Sequence, residues 1–132
     1  MQTTGLLKIF DAAVAGGATT CGTAHFVEGY ENLFLQFSAV GASVGGIIKF
    51  QGSWSDTCPN FAAAQSVTNN WDFVDVIDLE DGASIDGDTG ITEAAADYLN
   101  LEVNAGGLKW ICARITTYNA GTFYLNVFAK AK

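Results

Sequence analysis

The chain has 132 residues, 49% of them hydrophobic and only 15% charged, a composition that excludes disorder and fits one folded domain, 1–132. Fourteen acidic against six basic residues give a formal net charge of -8 and a pI near 4.2, which repels a phosphate backbone and excludes nucleic acid as a partner. No apolar run approaches the roughly 18 residues of a spanning helix, so no membrane partner is expected.

The first segment, Met1 to Lys8, lacks a basic stretch followed by an apolar one, so Sec export is not expected and the protein is read as made in the cytoplasm. Three cysteines, Cys21, Cys58 and Cys112, are an odd number without a CxxC spacing, and they read as reduced, small buried side chains. Strand patterns follow at Leu6 to Phe10 and Gly22 to Gly29. In the next, Leu33, Leu35 and Phe37 alternate with Phe34, Gln36 and Ser38. Further strands are predicted at Gly46 to Gln51, Phe73 to Leu79, Tyr98 to Val103 and Leu108 to Thr117. In the last strand Phe123, Leu125 and Val127 alternate with Tyr124, Asn126 and Phe128. Asn60 to Gln65 and Thr92 to Tyr98 each suit a helical turn or two, and Tyr118 to Gly121 reads as a hairpin turn joining the final pair of strands. The single proline, Pro59, falls in a loop from Ser53 to Pro59.

About eight strands without intervening helices predict an all-β fold, an antiparallel β-sandwich or jelly-roll-like barrel. Ten of the fourteen acids lie between Asp72 and Glu102, so the middle of the chain is expected to be a long acidic loop region. Aromatics on both faces of the strands, Phe34, Tyr124 and Phe128 among them, imply that the second face is covered by a sheet, a loop or another subunit.

Few residues offer chemistry. Asp86, Asp88 and Asp97 fall at positions 1, 3 and 12 of a calcium-loop spacing, but Ile91 replaces the glycine that such a loop needs at position 6. Weak calcium binding is therefore the one cation expectation, against the alternative that these aspartates form turns to the backbone; no other cofactor is expected. Cys21 and His25 supply two zinc ligands where a closed site takes four. One histidine without a nucleophile motif, and Asp72, Asp75 and Asp78 clustered in one stretch, argue against an enzyme. No glycine-rich phosphate loop follows a strand. Trp54 and Trp71 bracket a polar loop and could stack on a sugar ring, whereas Trp110 sits in a strand pattern and is expected to fill core.

Two stretches carry a resemblance. Ile47 to Trp54, with its KFQGS strand, and the closing pair Leu108 to Tyr118 and Gly121 to Val127 resemble strands of small β-sandwich virion structural proteins of tailed bacteriophages, decoration or head-accessory proteins, over about a third of the chain. The resemblance implies a non-enzymatic oligomeric subunit of a virion, made in the host cytoplasm and binding virion or capsid proteins. Binding would then run through apolar strand faces, with Trp54, Trp71, Tyr124 and Phe128 as candidate contact residues. The competing expectations are a carbohydrate-binding module at a tail or fibre tip, and a subunit of an extracellular filament or surface layer.

Overall fold

A computed structural model describes residues 4–10, 20–22, 24–40, 46–92, 98–118 and 122–131; for 4–10, 20–21, 39–40 and 122–131 it describes the backbone. Twelve strands are described: β1 (Thr4–Phe10), β2 (Thr20–Cys21), β3 (His25–Phe26), β4 (Tyr30–Val40), β5 (Ile47–Ser53), β6 (Asp72–Phe73), β7 (Val76–Asp78), β8 (Ser84–Ile85), β9 (Ile91–Thr92), β10 (Tyr98–Asn104), β11 (Trp110–Thr117) and β12 (Thr122–Ala131). They form two antiparallel sheets. One, the first sheet, has the order β1-β12-β4-β10-β7-β8; the second has β2-β11-β5-β6, with β3 also pairing β11 and β9 pairing β5. The predicted all-β sandwich is the fold, and its long strands fall where the alternation places them.

The core lies between the sheets. Leu33, Leu35 and Phe37 of β4, with Leu101 and Val103 of β10, face Ile48 and Phe50 of β5 and Ile111, Ala113 and Ile115 of β11. All of these side chains are at most 2% exposed, which is the burial that a period of two demands of one face of each strand. Leucine, isoleucine and phenylalanine fill eight of these ten positions, because large branched and aromatic side chains fit a pleated, buried surface.

Two expectations are corrected, and a third lies outside the described residues. The turn from Tyr118 to Gly121 is not a hairpin, since β11 belongs to the second sheet and β12 pairs with β4 and β1 in the first. The link instead crosses between layers, and residues 119–121 lie outside those described. A glycine-bearing turn signals a reversal of the chain but does not specify that its flanking strands pair. Similarly, Phe73 to Leu79 is not one strand. Phe73 pairs with Gln51 in the second sheet while Ile77 pairs with Glu102 in the first, so the chain changes layer at Val74 and Asp75. The helical turn predicted from Thr92 to Tyr98 begins on a residue of β9 and ends on one of β10; 93–97 are outside the described residues. A single turn does occur at Asn60, where the Ala63 amide donates to the Asn60 carbonyl at 3.1 Å.

The change of layer at Val74 is held from both sides. Its amide donates to the Phe50 carbonyl at 2.9 Å, and the Gly87 amide donates to Asp75 Oδ1 at 2.7 Å. Gly87 lies so close that a Cβ on it would stand 2.8 Å from the Val74 carbonyl carbon and oxygen. Both contacting atoms are backbone, so relief requires moving the corner itself. Gly87→Ala is therefore expected to destabilise the protein by about 1–3 kcal/mol, read as a lower midpoint in urea unfolding; an unchanged midpoint would show that the corner yields freely.

Candidate interaction surfaces

The two sheets treat their outer faces differently. On the second sheet, alternation turns Gln51 and Ser53 of β5, and Trp110, Cys112 and Arg114 of β11, away from the core. Gln51 and Ser53 are nonetheless buried, at 0% and 1% exposure. The cover is the loop 54–71, which folds back over them. Gln51 Nε2 and Arg114 Nη1 both donate to the Phe61 carbonyl at 2.8 Å, Ser53 Oγ to the Asn70 carbonyl at 2.6 Å, and Trp110 Nε1 to the Ser55 carbonyl at 3.0 Å. Beneath the loop a second cluster forms from Phe61, Trp71 and Cys112, flanked by Ala24, Phe73 and Trp110. Asn69 closes the loop on itself, accepting from the Asn60 amide at 2.8 Å and donating to the Asn60 and Ala64 carbonyls at 2.9 Å.

Trp71 is thereby only 6% exposed, with its ring 5.1 Å from Phe73 and its indole N–H donating to the Ala63 carbonyl at 3.1 Å. Trp54 is 59% exposed. The two indoles do not share an open platform. Trp110, expected in the main core, instead lies on the outer face, edge-to-face with Phe26 at 5.0 Å. At the same end of the sandwich Lys109 pairs with Asp56 and, at 3.7 Å, with Glu28. The hydrogen bond from Lys109 and then its charge hold the Asp56 carboxyl below its ordinary range; the Asp56 hydrogen bond holds the ammonium above its own.

The outer face of the first sheet carries polar and aromatic side chains. Across β12, β4 and β10 the register sets Tyr124 beside Ser38 and Tyr98, Asn126 beside Gln36 and Asn100, and Phe128 beside Phe34 and Glu102. Gln36, Asn100 and Tyr98 are exposed, and Asn32 Nδ2 donates to Glu102 Oε2 at 2.6 Å. Tyr124 and Phe128 thus hold register positions in the same rows as Ser38 and Phe34, where the alternation sets them. Two clefts flank Tyr98: one of about 410 Å³ lined by Asp78, Leu79, Glu80, Tyr98, Leu99 and Asn100, another of about 280 Å³ lined by Gln36, Phe37, Ser38 and the same stretch of β10. A third, of about 330 Å³, lies on the second sheet between the loop and Phe73, Arg114 and Thr116.

The acidic side chains largely cap backbone. Asp86 Oδ1 accepts from the Asp88 amide at 2.8 Å, the turn geometry that competes with a cation role; Asp97 lies outside the described residues. Asp72 Oδ1 accepts from Gln65 and from the Phe73 amide, Asp75 from Gly87, and Asp78 from Glu80. Among the described residues no three His, Cys, Asp or Glu side chains converge as metal ligands. His25 is half-buried on β3 opposite Ile111, and Cys21 is opposite Arg114 in the ladder. Cys112 is buried and donates to the Gly22 carbonyl, whereas Cys58 is exposed.

Two solved structures share this fold, and both are phage-derived proteins. The SPBc2 prophage-derived protein YomS superposes with a TM-score of 0.69 at 11% identity, over 99% of this chain and 96% of that one. The PBSX exported protein XepA superposes with a TM-score of 0.69 at 15% identity, over 98% of this chain but 38% of XepA, so the chain corresponds to part of that protein. No protein-family model and no curated protein sequence matches the chain.

Asn69→Ala removes three hydrogen bonds that shape the loop and leaves the Asn60 amide without its acceptor, a loss of roughly 1–3 kcal/mol. Limited proteolysis should then cut within 54–71 faster than in the parent protein, and equal cleavage rates would show that Asn69 does not hold the loop.

Proposed function

We propose that this chain is a non-enzymatic structural protein of a tailed bacteriophage particle, a decoration or capsid-accessory subunit that binds virion or capsid proteins and its own copies. The observation that carries the reading is the match of a whole sandwich, end to end, to the prophage-derived protein YomS. The distribution of polar groups supports it. Carboxylates that a hydrolytic site would have to leave free are spent on backbone amides at turns, while the first sheet presents exposed Tyr98, Gln36 and Asn100 on a broad strand face. Faces of this kind act by repetition: in a symmetric particle the same modest contact recurs on every copy. Assembly in the virion follows synthesis in the host cytoplasm, and the exported character in XepA's name is compatible with a protein that leaves the producing cell.

The burial of Trp71 favours assembly over the glycan-binding alternative, because one of the two rings that alternative relies on is inside the fold.

Light scattering coupled to size exclusion, followed by co-sedimentation with phage particles that lack the protein, tests the reading. Oligomers in solution and saturable association with particles are the expected results. A chain that stays monomeric and never pellets with particles would overturn it.

A further inference from the structure

Of the six basic residues in this acidic chain, two stand directly opposite each other: Arg114 of β11 pairs with Lys49 of β5. Cross-strand neighbours of like charge repel unless something compensates them. No carboxylate among the described residues does. Lys49 Nζ sits 4.8 Å over the Phe73 ring, Arg114 donates to the Phe61 carbonyl, and among the described residues neither has a carboxylate within 4 Å. Arg114 lines the 330 Å³ cleft together with Ala63, Ala64, Gln65, Trp71, Phe73 and Thr116, and Lys49 stands beside it, over the Phe73 ring of that wall. A cleft with two cations at its side and an aromatic wall suits a ligand that joins carboxylate to apolar surface.

The protein carries such a ligand on its other sheet. The turn between β7 and β8 presents Leu79, 44% exposed, next to exposed Glu80 and Asp81. Its shape is fixed by the Gly82 amide donating to the Asp78 carbonyl at 2.7 Å, with Gly82 at a φ of 75°, and by the Leu79 amide donating to Asn100 on β10. Asp81 Oδ1 caps the Ala83 amide, while Glu80 has no cation within ion-pair distance among the described residues. A preformed turn loses little entropy on docking.

We propose that the Arg114 cleft, with Lys49 beside it, receives the β7–β8 turn of a second copy, with Leu79 against Phe73 and the Trp71 edge, and Glu80 and Asp81 meeting the two cations. This rests on the assembly reading and names the contact between copies. Donor and acceptor lie on different sheets of one molecule, so the contact is head-to-tail, and each copy can both give and receive.

Sedimentation velocity of the full chain, at low and at high salt, tests it. Self-association should weaken as salt rises. Glu80→Lys and Lys49→Glu should each weaken it about tenfold or more, with the melting temperature near that of the parent. Mixing the two variants should restore assembly, because each then meets an opposite charge. A monomeric parent, assembly indifferent to Glu80→Lys, or a mixture that fails to recover would overturn the proposal; if Lys49→Glu does not fold, Glu80→Lys on the exposed turn decides alone. Particle binding retained by a Glu80→Lys chain that still self-associates like the parent defeats this contact and leaves the assembly reading intact. Self-association that follows the charges without any binding to particles does the reverse.

Discussion

The buried amide of Gln51 governs this molecule. A fully buried primary amide on a strand must have its donors satisfied, since leaving one unpaired costs several times what the hydrogen bond itself contributes. The Phe61 carbonyl meets that need, and the same oxygen takes a bond from Arg114. The loop 54–71 is consequently bound to the sheet through that amide and Arg114, and lifting it would expose Phe61, Trp71 and Cys112 and take the Phe61 acceptor away from both donors. Covering the second sheet in this way makes the two faces of the sandwich chemically unequal. One outer face is closed by the chain's own loop over much of its area, and the other presents Gln36, Asn100 and Tyr98 outward.

A second constraint couples the layers. Because Phe73 belongs to one sheet and Ile77 to the other, the four residues between Phe73 and Asp78 tie the sheets at one corner, and Gly87 packs its bare backbone on that corner. Short pairings follow from it. β8 completes the edge of the first sheet and β9 the edge of the second, so the acidic stretch after Asp72 is stitched into both layers by two-residue strands. Its turns can hold exposed carboxylates in fixed positions without a large core of their own.

Alternation made one layer legible from the sequence alone. Leu33, Leu35 and Phe37 face inward and Gln36 outward because a period of two leaves no other choice once one face is buried. The same logic sets Tyr124 and Phe128 in the outer rows by register. Pairing partners were beyond its reach, since periodicity reports which face a residue takes but not which sheet its strand joins; hence the mistaken hairpin at Tyr118 and the undivided strand at Phe73. β8 and β9 are two residues long and have no period to read. Trp71 looks exposed in sequence because its neighbours are Asn, Asp and Ser, yet those polar residues bond to one another and to backbone and let the indole turn inward. Lys49 and Arg114 are 65 positions apart in the chain, and only the ladder brings them together.

Charge is therefore distributed by topology as well as by composition. The net charge of -8 describes a molecule whose carboxylates crowd one run of chain, while two of its six cations are set side by side across β5 and β11, Lys49 over the Phe73 ring and Arg114 in the cleft beside the loop. Uniform negative charge would keep copies apart at low ionic strength. Segregated charge has the opposite consequence at short range: one face of a copy can attract a part of the next that its own geometry prevents it from reaching. For a fold shared with two phage-derived proteins, the separation of an acidic turn from a basic cleft would give directionality to the contact proposed between otherwise repelling copies.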